Sequence, residues 1–296
     1  MTRSSRSPAE IDRRPLHALS VDVEDWFQVW ALSGAIDRDT WDERDLRVDA
    51  NIDRILALFD RHQVKATFFV LGWIAERCPD MIRRLATEGH EVASHGWDHQ
   101  KVFDQTETAF YEDILKTRIV LQELSGQSVD GFRAAGFSID RRTPFAYDAL
   151  AKAGYGYSSS SHPIAHDHYG DPSAPMEPYH VSSGLVEIPV AVTTLLGRRQ
   201  TCAGGGWFRA MPYLLTRRLW RGLEDKGRSG VFYFHPWEVD PDQPSVPGLP
   251  LKARLRHRLN LHSTEKKLDR LLGEFNWTRI DKVFASSLAD NTQSAA

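Results

Sequence analysis

Apolar runs and amphipathic helical patterns alternate along almost the whole chain, and this alternation constrains the fold more than any other feature. Residues 17–23 (HALSVDV), 65–72 (KATFFVLG), 90–95 (HEVASH), 128–134 (SVDGFRA), 155–160 (YGYSSS), 184–192 (GLVEIPVAV) and 230–237 (GVFYFHPW) read as strands. Several are apolar on both faces, as strands of a covered parallel sheet must be. Between them, residues 48–62 place Ile52, Ile55, Leu56 and Phe59 on one stripe. Helices are likewise expected over 79–88, opened by Pro79, over 106–124, ended by Gly126, and over 144–153 and 212–224. Seven strands with helices between them predict an α/β fold with a mostly parallel sheet, either open and doubly wound or closed into a barrel. The first strand is not followed by a dinucleotide fingerprint, which lowers the nucleotide-binding version of the open sheet.

Two stretches interrupt the pattern. Residues 158–183 form a long Ser/His/Pro/Gly-rich insertion of the kind that shapes binding sites. Residues 241–250 hold four prolines and read as an irregular connection. After it come the basic KARLRHRLN (252–260), read as a solvated helix in preference to a contact with anionic polymer or a membrane surface, and a helix over 263–272. The expected organisation is a disordered arm over residues 1–15, one domain over 16–240, and a C-terminal extension over 241–296 packed on it.

Composition narrows the function. Of the 296 residues, 41% are hydrophobic and 26% charged, the balance of an ordinary globular chain. A formal net charge of −3 argues against a nucleic-acid partner. No apolar run reaches the length of a membrane span. Two cysteines, Cys78 and Cys202, make no disulfide framework. The basic N-terminus has no apolar core of a signal peptide, so a cytoplasmic location is expected.

The residues able to do chemistry sit at the C-terminal ends of strands, where α/β barrels build their sites. Asp22, Glu24 and Asp25 cluster after the first strand, and like charges so close together favour a bound cation. His95 and His99, four apart in SHGWDH, place two imidazoles where both can bind one metal ion. The zinc-protease pattern needs Glu after the first histidine, and Gly96 stands there. Arg133 ends the fourth strand, where it can pair with a buried carboxylate. His235 ends the last. A second cluster, His162, His166, Asp167 and His168, falls in the insertion and reads as substrate-contacting or surface residues. The GGGWFR segment (204–209) lacks the Lys-Ser/Thr pair of a phosphate loop, and its glycines are expected to form a sharp turn presenting Trp207 near the barrel mouth.

Taken together, these segments resemble the polysaccharide deacetylase family, the NodB-homology or carbohydrate esterase family 4. Its first motif, Thr-Phe-Asp-Asp, is matched by Ser20-Val21-Asp22-Val23-Glu24. Its His-Ser/Thr-x-x-His is matched by His95 to His99, with Gly96 in place of the hydroxyl residue. Its Arg-x-Pro is matched by Arg133-Ala134-Ala135, without the proline. Its Leu-x-His is matched by Tyr233-Phe234-His235. The resemblance runs from about Leu19 to Trp237. VDVEDWF, GFRAAGFS, HPIAHDHYG and GGGWFR resemble the subgroup associated with bacterial exopolysaccharide and exosortase clusters.

The resemblance implies a distorted (β/α)7 barrel and a divalent metal, most often Zn2+. It implies Asp22 as catalytic base, Arg133 as its orienting partner, His235 as general acid, and His95 and His99 as metal ligands. The family's third ligand follows the base directly, where this chain has Val23. Relatives with an Asp-x-Asp pattern point to Glu24, and Asp25 is the alternative. The activity implied is metal-dependent removal of N-acetyl groups from an acetylated amino-sugar polymer or oligomer. The alternatives are a catalytically silent carbohydrate-binding relative, or hydrolysis of another non-peptide C–N bond.

Overall fold

The computed structural model describes residues 14–166, 169–181 and 183–293. The expected N-terminal arm lies outside them apart from its last two residues, as do Asp167 and His168 of the insertion.

All seven expected strand segments contribute strands. These are β1 (Leu16–Val23), β2 (Thr67–Val70), β3 (Glu91–Ser94), β4 (Gly131–Phe132), β5 (Tyr157–Ser158), β7 (Val186–Glu187) and β10 (Val231–Phe234). They lie side by side in the order β10-β1-β2-β3-β4-β5-β7, every neighbouring pair parallel. The ladders shorten from four residues to two on passing from β1–β2 to β5–β7. The edges β7 and β10 are joined by irregular chain: Ala191 N donates to Val231 O at 2.9 Å, and Tyr233 N donates to Ala203 O at 2.7 Å. The result is a curled, distorted α/β barrel.

Gly204 makes the second of these closures possible. It bridges Tyr233 with φ at 135°, and a Cβ there would stand 1.8 Å from the Tyr233 carbonyl oxygen. Only glycine allows two backbones this close. The glycine run therefore closes the barrel and then starts a short helix, α6 (Gly205–Ala210), in place of the turn that its composition suggests.

The helices expected from periodicity are present as α1 (Val48–His62), α3 (Pro79–Thr87), α4 (Glu107–Ser125), α5 (Ala146–Lys152) and α7 (Tyr213–Glu224), with α2 (Gly72–Arg77) in addition. Pro79 stands in the first turn of α3 and Gly126 caps α4 in the left-handed conformation. Beyond β10 lie α8 (Leu251–Arg258), α9 (Leu261–Glu274), β11 (Asn276–Thr278), α10 (Ile280–Val283) and α11 (Ala285–Gln293).

Sequence reading missed three strand features. β6 (Tyr179–His180) runs antiparallel to β7. β8 (Val192–Leu195) and β9 (Arg198–Thr201) form a hairpin. Its two turn residues, Leu196 and Gly197, both have positive φ, as a type I′ turn requires, but Leu-Gly is not one of the pairs that announce such a turn. β11, only three residues long, pairs in parallel with the first residues of β1. Just after it, Ile280 N donates to the Thr67 hydroxyl at 2.8 Å. The extension thus covers the N-terminal end of the barrel, where Trp277, Trp220 and Phe275 pack around His17. Among the described residues no helix is long and apolar enough to cross a membrane.

Candidate active site

The C-terminal ends of β1, β3, β4 and β10 bring Asp22, His95, Arg133 and His235 to one buried floor. Arg133 is fully buried and organises it. Its Nη1 donates to Asp22 Oδ1 at 2.6 Å and to Ser20 Oγ at 2.8 Å. Its Nε and Nη2 donate to the Ser159 carbonyl and hydroxyl oxygens, both at 2.9 Å. The guanidinium plane lies 4.1 Å from the Phe69 ring centroid. A charge this deep is tolerated because it is paired and hydrogen-bonded on every side. Burial pushes the Asp22 carboxyl up, but Arg133, His95 and His235 outweigh it and hold the group below the usual carboxylate range.

His95 and His99 follow β3 in a loop held in place by its backbone. Gly72 N donates to Gly96 O at 3.0 Å, Trp73 N to Trp97 O at 2.8 Å, and Trp97 N to the Asp113 carboxylate at 3.0 Å. Gly96 has φ at 77°, a left-handed backbone that a serine or threonine would adopt only with strain. That geometry accounts for glycine at this point of the motif. His99 is itself held at φ 61°, uncommon for a residue with a Cβ and of the kind that clusters at functional sites. His95 Nδ1 lies 2.8 Å from the Arg133 carbonyl oxygen and donates to it, which leaves the lone pair on Nε2. Burial pushes the imidazole down to about 4, so it is neutral near pH 7.

The adjacent carboxylates Glu24 and Asp25 part ways. Asp25 Oδ2 accepts from the backbone N–H groups of Arg47 and Val48, at 2.7 and 3.0 Å, and Oδ1 accepts from Trp26 N at 2.7 Å. Asp25 therefore caps the start of α1, and its oxygens are spent on backbone. Of the two third-ligand candidates that the sequence offers, Asp25 is thus the one whose oxygens backbone N–H groups occupy. The Asp25→Ala protein is expected to lose about 1–2 kcal/mol of stability, measured by urea denaturation.

Glu24 turns inward. Its Oε1 accepts from Trp237 Nε1 at 3.2 Å and lies 3.4 Å from His235 Nε2. Its Oε2 is buried without a hydrogen bond, although His99 Nε2 stands 3.0 Å away. Two donors each ~2.1 Å from a tetrahedral ion stand roughly 3.4 Å apart, so this spacing suits two ligands of one metal. Among the described residues no three His, Cys, Asp or Glu side chains close on one point as a finished ligand set. The donor chemistry of His95, His99 and Glu24 nonetheless fits a divalent cation: two imidazoles and an oxygen, one of them with its nitrogen lone pair fixed from behind.

His235 lies 4.0 Å from Asp22 Oδ2 and 3.6 Å from Glu238 Oε1. Its ring stacks on Trp237 at a centroid distance of 5.3 Å. Burial favours the neutral imidazole, but Glu24, Glu238 and Asp22 outweigh it and raise the group to about 9. Sequence reading missed Glu238 and Arg209. Glu238 is fully buried, and Arg209 Nε donates to its Oε1 at 3.0 Å. A carboxylate three residues after a candidate acid was the available signal.

The site opens into a cavity of about 820 Å3. Of the insertion histidines, His162 is buried, bonded to the Thr201 hydroxyl at 2.9 Å and pushed down to about 3 by burial, a core residue. His166 lines the cavity and stacks on Tyr169. Gly206 and Arg209 of α6 reach the cavity wall, and Trp207 packs edge-on against His166 of that wall, ring centroids 6.4 Å apart.

Residues 39–158 match the polysaccharide deacetylase family model. This stretch is similar to polysaccharide deacetylase domains. Residues 159–285 match a second model, described as a domain of unknown function (DUF3473). The deacetylase match holds His95, His99 and Arg133, whereas Asp22 and Glu24 precede it and His235 falls in the second span. Peptidoglycan-N-acetylglucosamine deacetylase PgdA of Listeria monocytogenes is 42% identical over 72 residues, 24% of this chain and 16% of that protein. A chitooligosaccharide deacetylase of a Bradyrhizobium strain is 27% identical over 184 residues, 57% of this chain and 79% of that one. The chain thus spans a small part of the Listeria relative and most of the rhizobial one. A crystal structure from Mycobacterium smegmatis, of a protein assigned as a polysaccharide deacetylase, superposes with a TM-score of 0.61 at 19% identity. It covers 93% of this chain and 91% of that one, and it shares the fold of the deacetylase domain and the segment after it.

Proposed function

We propose that the chain is a metal-dependent hydrolase that removes N-acetyl groups from an acetylated amino-sugar polymer or oligomer. The observation that carries the reading is the opposition of an ionised Asp22, held by Arg133, and a protonated His235, 4.0 Å apart on the floor of the cavity. Environments that push two titratable groups apart in this way assign a base and an acid. The relatives named as peptidoglycan and chitooligosaccharide deacetylases support acetamido sugars as the substrate class. The exopolysaccharide setting is proposed from the sequence resemblance of the segments around Asp22, Arg133, His166 and Trp207.

His95, His99 and Glu24 would hold the divalent ion, with Zn2+ the first candidate. Such an ion polarises an acetyl carbonyl and acidifies water. Asp22 accepts the proton that water loses as its oxygen bonds to the acetyl carbon. His235 donates its proton to the sugar nitrogen as the C–N bond breaks. Acetic acid, which ionises to acetate in water, and a free amine leave, and the proton taken up by Asp22 passes back to His235 to restore both groups. Arg133 keeps Asp22 ionised and aimed. Glu238, itself anchored by Arg209, keeps His235 charged.

Two results test this. Treatment with a chelator is expected to abolish acetate release from an acetylated chitooligosaccharide, and a divalent ion should restore it. Full activity without metal rejects the ion, and bound metal without acetate release favours a silent carbohydrate-binding relative. The pH profile tests the acid. His235 is raised by Glu24, and by Glu238 and Asp22 besides, so its protonated form persists through neutral pH and is lost on the alkaline side. Activity is expected to fall there, and in His235→Gln the residual rate should lack that alkaline decline. An unchanged profile in the variant removes His235 from the proton path.

A further inference from the structure

The proposed function leaves one feature of the cavity unused, the charge of its rim. Its carboxylates, Asp22, Glu24 and Glu238, all sit on the floor, beside Arg133, His235 and Arg209 in turn. The cavity is also lined by Lys101, Lys252 and Arg256. Among the described residues, none of these three has a carboxylate within ion-pair distance. They come from two walls. Lys101 follows the His95–His99 loop and lies deeper, only 8% exposed, with its ammonium 3.5 Å from the ring centroid of Trp30 at the cavity edge. Lys252 and Arg256 stand four apart, one helical turn, on α8.

The helix that carries them is locked to the catalytic floor. His257 stacks on Trp237 at 4.6 Å and bonds Gln243 at 2.8 Å. Arg209, the partner of Glu238, donates to the His257 carbonyl at 2.7 Å and to the Leu259 carbonyl at 2.9 Å. Held in this way, the two cations of α8 keep a fixed place beside the reacting groups.

We propose, resting on the deacetylase reading, that the acetamido sugar is presented within an anionic polysaccharide, and that Lys101, Lys252 and Arg256 recognise carboxylates on the sugars flanking it. Cations spread over two walls suit charges repeated along a chain better than a single convergent anion. A positive rim around an enclosed floor also raises the local concentration of such a polymer. The exposed leucines of α8, Leu251 and Leu255, make an anionic membrane the rival occupant. Lys252 and Arg256 line the cavity itself, which favours the sugar.

Binding tests this without requiring turnover. The probes are an oligosaccharide alternating N-acetylglucosamine with glucuronate and a neutral N-acetylglucosamine oligomer of equal length, titrated calorimetrically into the full chain. At low salt the anionic oligomer is expected to bind about tenfold more tightly, and the gap should narrow as salt screens the rim. In the exposed double variant K252E/R256E the two oligomers should bind alike. Equal affinities for the unmodified chain overturn the proposal, as does a preference that the variant keeps. A variant that keeps the preference but no longer sediments with anionic phospholipid vesicles assigns the cations to a membrane and also overturns it. If neither oligomer is bound or deacetylated, the deacetylase reading falls together with the proposal, whereas equal binding with acetate release sinks the charge assignment alone.

Discussion

Asp22→Asn should leave a folded protein that releases acetate about 10³-fold more slowly. Positioned general bases contribute ~10²–10⁴ to such rates, and the amide that replaces the carboxylate has no comparable affinity for a proton. The fold should survive because the amide oxygen can still accept from Arg133, whose other donors remain on Ser20 and Ser159. The comparison is kcat on an acetylated chitooligosaccharide, with near-ultraviolet circular dichroism to confirm that packing is retained. A variant within a few-fold of the unmodified rate would take the base role away from Asp22.

The second large effect is on stability. Arg133→Met removes the only guanidinium within ion-pair distance of Asp22 among the described residues and leaves that carboxylate buried without its hydrogen-bonded counter-charge, with His235 the one cation still near, at 4.0 Å. Breaking a buried pair from one side costs about 3–5 kcal/mol. The sign is fixed by the carboxylate: without Arg133, burial pushes its pKa upward against only the pull of His95 and His235. The stability that the pair supplies is present above the ordinary aspartate pKa, so the loss should be largest near neutral pH and smaller in acid. Guanidinium chloride unfolding at several pH values measures this. Arg133→Met with Asp22→Asn should recover part of the loss, since the double variant buries no lone charge. A single variant as stable as the unmodified chain contradicts the view that this pair is held at full strength.

The same two residues show why part of the site was legible in the sequence. Asp22, His95, Arg133 and His235 each end an apolar strand, so an alternating α/β pattern already sends them to one end of a barrel. Glu24 and Asp25 differ in another way. Adjacent side chains at a strand end point apart, and which one turns inward depends on where α1 begins, because Arg47 and Val48 supply the N–H groups that claim Asp25. Nothing local to residues 22–26 contains that information. Arg209 was hidden by its glycine-rich surroundings, which read as a turn although Gly204 serves barrel closure and the rest begins a helix. β11 was too short to show a period.

That last strand has a consequence for how the protein is made. β1 carries Asp22, yet its low end pairs with β11, and the Ser20 hydroxyl bonds the carbonyl of Phe232, 212 residues further on. Ile280, just past β11, reaches back 213 residues to Thr67 of β2. During synthesis the strand that bears Asp22 therefore precedes its partners on one edge by about 212 residues and stays unpaired there until they follow. Contacts this distant are slow to form and expose apolar edges meanwhile, so assembly in the cell should be the step most sensitive to temperature and to assistance by chaperones.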